Sequence, residues 1–181
     1  MAKLDDLSRL KAKIKADSRY KKLKGVYTTN KAFDLPVDTF RADMQGLFKL
    51  RKFRDLDTRS PTFIQDLNEA FVQDLSYRSR MTETFVTFNN ARMYMDRLVE
   101  AFADYVYSAY SHDLKIVGAA KERERFVATM LRPMLDYKAQ LERACAEIEL
   151  YVKDIDKAGF GATSMANAQV MLSKNGGRDS M

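Results

Sequence analysis

Two stretches of the chain interleave cations with aromatic rings. The first is Arg19-Tyr20-Lys21-Lys22-Leu23-Lys24-Gly25-Val26-Tyr27, and the second is Lys49-Leu50-Arg51-Lys52-Phe53-Arg54. Each Lys or Arg placed on a phosphate releases a condensed counterion, and each ring offers a face on which a base can stack. The candidate nucleic-acid-binding residues are therefore Arg19, Tyr20, Lys21, Lys22, Lys24 and Tyr27, then Lys49, Arg51, Lys52, Phe53 and Arg54. A plainer reading stands beside this one: Phe53 belongs to a core and the cations are solvated. Gly25 and Thr28-Thr29-Asn30 predict a loop or a brief strand around the first stretch.

Chemistry of other kinds finds little to work with. The chain has no GxxxxGK[ST] loop, GxGxxG fingerprint, HExxH pair or GxSxG elbow. One histidine, His112, and one cysteine, Cys145, cannot complete a zinc site or an internal disulfide by themselves. Asp154 and Asp156, like Glu122 and Glu124, stand two apart on expected helices and so point away from each other. A non-enzymatic protein without cofactor or metal is expected.

The balance of 46 % hydrophobic and 31 % charged residues suits a soluble globular chain, and no apolar run is long enough to span a membrane. The start, Met1-Ala2-Lys3-Leu4-Asp5-Asp6, lacks a signal-peptide pattern, so a cytoplasmic protein is expected, in a bacterial host if phage-encoded. Charge is unevenly spread. Residues 1 to 54 hold 15 Lys/Arg against 6 Asp/Glu, leaving −3 for the other 127 residues of a chain whose net charge is +6. Such a basic arm on a near-neutral scaffold points to nucleic acid, to an acidic protein surface, or to solvation alone.

The elements that must carry these residues read as helices. Leu4, Leu7, Leu10 and Ile14 mark one side of a helix over 2 to 16, too short to stand alone and so expected to dock. Asp34-Leu35-Pro36 and Ser60-Pro61 open two more helices. Then come two long arms. Met81, Phe88, Met95, Phe102 and Ala109 recur every seven residues, with Phe85, Val99 and Val106 in a second row and Arg92 as the interruption. Val127, Met134, Leu141, Ile148 and Ile155 repeat likewise, beside Met130, Tyr137, Ala144, Tyr151 and Ala158. Such seams pack on another helix, within the chain or between copies. Arg92 is expected to run its stem along the seam with its head in water. The arms meet in a turn between Ser111 and Gly118. A bend or break is expected near residues 76 to 79, a kink at Pro133, and an end to the pattern at Gly159-Phe160-Gly161. A short helix over 163 to 173 and a flexible tail follow.

The fold expected is all-α: a long antiparallel helical hairpin with shorter N-terminal helices, in an oligomer. The expected regions are 1–54, basic and helical; 55–158, the bundle or hairpin; and 159–181, mostly tail. Leu150 to Phe160, a helix carrying Ile155 into the Gly159-Phe160 step, resembles the close of the UvsY family of phage recombination mediators. That resemblance implies a small, basic, ring-forming helical protein that binds single-stranded DNA and helps a recombinase displace a single-strand-binding protein. The chain departs from the pattern at Gly161-Ala162-Thr163-Ser164, so no individual DNA-binding residue carries over. Phe126 to Met130, with the Met/Phe arm before it, is similar to phage small terminase subunits, whose rings recognise DNA for packaging beside a large subunit. A helix-turn-helix is not evident in residues 1 to 54. The reading that follows is an oligomeric single-stranded-DNA-binding protein. A packaging subunit or a scaffolding protein without affinity for nucleic acid is the alternative.

Overall fold

The computed structural model describes residues 2–176, with the side chains of 2–4, 54, 169, 170 and 172–176 outside that description. Among the described residues there are six α-helices and no strand: α1 (Ala2–Ala16), α2 (Ser18–Thr29), α3 (Val37–Lys49), α4 (Phe63–Ala109), α5 (Ala120–Met130) and α6 (Arg132–Gly176). Among the described residues no helix is long and apolar enough to cross a membrane. Short 3-10 turns occupy Lys31–Phe33, Lys52–Asp55 and Asp113–Ile116.

Two compact units share the chain, and neither is one continuous block. The first is Met1–Pro36 with Phe88–Arg143; the second is Val37–Thr87 with Ala144–Met181. The expected boundaries after residues 54 and 158 do not coincide with these. Long helices explain why: α4 and α6 each begin in one unit and end in the other, so sequence blocks and packing blocks part company.

The first unit is built on α4 from Phe88 onward. Met95, Phe102 and Val106 pack with Val127, Met130 and Met134 in one buried cluster, which Leu10 and Ile14 of α1 and Tyr20 of α2 join. That is where the short first helix docks. Asp17 separates α1 from α2 by adopting extended backbone, and its carboxylate accepts the Arg19 N–H at 2.7 Å as an N-cap. α2 runs through Gly25 to Thr29, where a loop or strand was expected. Tyr20, with half-buried Leu23, Val26 and Tyr27, gives it a face to bury, and this outweighs the cost of one glycine. Thr28 and Thr29 donate their hydroxyls to carbonyls at residues 24 and 25. The turn before α5 is fixed by Gly118 at φ +121°, a backbone that a side chain would strain. Pro133 does more than kink an arm: α5 stops at Met130 and α6 restarts at Arg132, placing the proline in a first turn, where its missing N–H costs nothing.

In the second unit, α4 is continuous through residues 76 to 79, so the helix does not break there. The rotation of the buried face there is met by a polar residue: Asp74 is buried because Arg51 is buried beside it. Nor does α6 stop at Gly159. Ala162 packs against Phe63 and Leu67, so the helix has an apolar face to bury beyond the glycine. The expected tail is thus helical to Gly176, and residues 177–181 lie outside the described residues.

The heptad rows are largely buried by the chain itself. Met81, Phe88, Met95, Phe102, Leu141, Ile148 and Ile155 are all in the core. The second-row residues Phe85, Val99, Tyr137, Tyr151 and Ala158 are half-buried, and Ala109 is exposed. Arg92 is half-buried, its guanidinium held by Asn89 at 2.9 Å and Asp96 at 3.5 Å.

Candidate nucleic-acid interface

The first basic stretch lies on α2, whose Lys21 and Lys24, one turn apart, share a face. On α1, Lys11 and Lys15 stand four apart in the same way. These four lysines border one groove of about 430 Å³ in the first unit. Its apolar lining is Tyr20, Tyr27, Met130, Pro133 and Met134, with Thr129 at the edge. Among the described residues, none of the four lysines has an ion-pair partner. Lys13, on the same α1, shows the contrast: its ammonium is neutralised by Asp113 at 2.7 Å, which raises its pKa, and lies 5.7 Å from the Tyr110 ring centroid.

The floor is uncharged and braced. Burial pushes the Tyr20 and Tyr27 phenols up, Asp136 adding to the shift at Tyr27, so both stay neutral at physiological pH. Tyr20 meets Phe102 edge-on at 4.8 Å, and Tyr27 donates its hydroxyl to the Pro133 carbonyl at 3.4 Å. At the head of α2, Asp17 accepts the Tyr110 hydroxyl at 2.9 Å. The hydroxyls of Tyr105 and Tyr110 beside it, with the Arg19 N–H, hold its carboxyl below the usual carboxylate range. An ionised cap thereby fixes the end of the helix that carries Lys21 and Lys24.

The structure thus brings Tyr20, Lys21, Lys24 and Tyr27 together, and alters the part of one of them. Tyr20 is too buried to serve as an open stacking platform; it supports the floor while Tyr27 and Pro133 face the groove. Arg19 lies with its guanidinium 5.1 Å from the Tyr105 ring, and exposed Lys22 is not part of the groove. Lys11 and Lys15 belong to the site although neither sits beside an aromatic residue in sequence. Their spacing of four was the available signal.

In the other unit, two of the three described cations of the second stretch, Arg51 and Lys52, are paired with carboxylates. Arg51 is 3 % exposed: Nε and Nη2 donate to the Asp74 carboxylate at 2.8 and 2.6 Å, and Nη1 to Asp154 at 2.6 Å. Its guanidinium also covers the Phe48 ring at 5.2 Å. It is spent on structure and is withdrawn as a phosphate ligand. Lys52 pairs with Glu69 at 2.9 Å, and half-buried Phe53 packs against the Phe63–Leu67–Ala162 cluster. Lys49 is exposed, and the side chain of Arg54 lies outside the described residues.

No family model matches the chain, and no curated protein or solved structure does so. The groove has to be interpreted from its own chemistry. Among the described residues no cluster of three or more His, Cys, Asp or Glu is placed to hold a metal.

Proposed function

We propose that the protein is a non-catalytic binder of single-stranded DNA, gripping it along the groove between α1, α2 and the start of α6. One observation carries this reading: four lysines without carboxylate partners border an apolar, partly aromatic floor. A duplex offers phosphates on its outside and keeps its bases stacked within, so an apolar floor gains nothing from it. A single strand can lay bases on Tyr27 and Pro133 while its phosphates meet the lysines. The resemblance at Leu150 to Phe160 supports placing this activity in phage recombination or replication, in a mediator-like role beside a recombinase. The paired α4 and α6 residues support an antiparallel hairpin: Gly159 lies by Phe71 and Asp156 by Arg78 in one unit, and Lys138 by Asp96 in the other.

Fluorescence anisotropy with a labelled single-stranded oligonucleotide across a salt series tests the reading. Each phosphate neutralised on a single strand contributes about 0.7 to the slope of log K against log salt. Replacing Lys11, Lys15, Lys21 and Lys24 by glutamine is expected to remove up to about 3 from that slope. Unchanged affinity and slope in this variant would overturn the assignment. Tighter binding of duplex would favour the packaging alternative.

A further inference from the structure

The second unit carries an apolar face that the chain leaves uncovered. On α4, Ile64, Phe71, Leu75 and Val86 are all exposed, Leu75 at 49 % and Val86 at 50 %. With 3.6 residues per turn, they fall within an arc of about 60°. The other positions of that arc between residues 64 and 86 are Asn68 and Thr82, so the strip holds no charge over about 33 Å of helix. Phe71 and Leu75 also form one wall of a groove of about 450 Å³, and the opposite wall is Phe160 of α6, 78 % exposed. The charged groups at this groove already compensate one another. Arg78 pairs with Asp156 at 2.6 Å, and Asp74 with Arg51 at 2.6 Å.

We infer that this face docks on the same face of a second copy of the chain, α4 against α4 about a two-fold axis. Such an isologous contact brings each residue near the axis against its own copy or a close neighbour, so a charge there repels itself. This strip has none. The stretches forming the second unit hold 12 Lys/Arg against 13 Asp/Glu, so two such units meet without net repulsion, whereas the first unit holds 19 against 12. A strongly acidic or basic partner, nucleic acid included, would find no unpaired counter-charge along the strip. A row of exposed apolar side chains depleted of charge is what the centre of a protein interface looks like. Met81, Phe88, Met95 and Phe102 of the heptad row are buried within the chain, so α4 meets its copy through its outer face. The dimer would hold two lysine grooves, although the docking itself does not depend on what those grooves bind.

Sedimentation equilibrium of the full chain without nucleic acid, over a concentration series reaching tens of micromolar, tests this. A dimer is expected. Leu75→Glu and Leu75→Lys should each raise the dissociation constant by more than about a hundredfold, because like charges then face each other near the axis. An equimolar mixture of the two variants should dimerise again. A wild-type monomer throughout the series, a variant that stays fully dimeric, or a mixture of folded variants that stays monomeric would each overturn the inference. Circular dichroism checks that the variants keep their helix, and Thr82→Glu with Thr82→Lys provides the same comparison at another exposed position if they do not.

Discussion

Arg51 and Asp74 are each almost wholly buried, and each makes the other tolerable. The guanidinium meets the carboxylate through two nitrogens and reaches Asp154 with a third, so little hydrogen-bonding capacity is left over. Removing Asp74 takes away two of the buried guanidinium's three carboxylate contacts and leaves it only the exposed Asp154, a loss that falls towards the lower end of the roughly 3–5 kcal/mol of a broken buried pair. Asp74→Ala is accordingly expected to lower the unfolding free energy by that amount in urea titration. Exposed Lys52→Ala should leave the urea midpoint almost unmoved, because its pair with Glu69 is wet. Similar losses in both would mean that burial does not set the value of these pairs. The same contrast shows where reading the sequence failed. Four cations in six residues suggested a phosphate-binding run, but the acids that claim Arg51 lie 23 and 103 positions away, and local composition cannot register them.

At the scale of the element, α2 shows what local propensity misses. Gly25, Thr28 and Thr29 argue against a helix, and the helix forms because tertiary packing buries Tyr20 and partly buries Leu23 and Val26. Those three positions already carried the helical spacing, so the signal was present but outvoted. Gly25 has negative φ, and a methyl group built there meets nothing within 4 Å. Gly25→Ala should therefore stabilise the protein by about 0.5–1 kcal/mol with unchanged affinity for nucleic acid, measurable by denaturant midpoint and anisotropy. A loss of stability would mean that the position needs glycine's freedom. The long helices were legible where the apolar period was strong. Their ends were less so: Pro133 read as a kink yet falls where α6 restarts, and Gly159 read as a stop although Ala162 still has Phe63 and Leu67 to pack on.

Across the whole molecule, charge divides less sharply between the packing units, +7 against −1, than between residues 1–54 and the remainder, +9 against −3, yet the cations of the first unit share a surface. The excess of seven cations in the first unit gathers in part at a groove where Lys11 faces Lys15, and Lys21 faces Lys24, one helical turn away, with no acid between them. Like charges so spaced cost a few tenths of a kcal/mol per pair, and the floor they border is more apolar than solvation of a helix requires. A site kept for an anionic ligand tolerates this self-repulsion when empty and loses it when bound. The fourfold glutamine variant should thus melt higher than the wild type at low salt, by about 2–4 °C if the relief approaches 1 kcal/mol. That difference should shrink as the Debye length falls to about 10 Å near 0.1 M salt. Saturating oligonucleotide should raise the wild-type midpoint and leave that of the variant almost unmoved, since only a ligand of the folded state stabilises it. Scanning fluorimetry at two salt concentrations, with and without oligonucleotide, measures all four values. A variant that melts lower at low salt would show that the lysines stabilise the fold, and the groove would then have no claim to be a binding site held at the expense of stability.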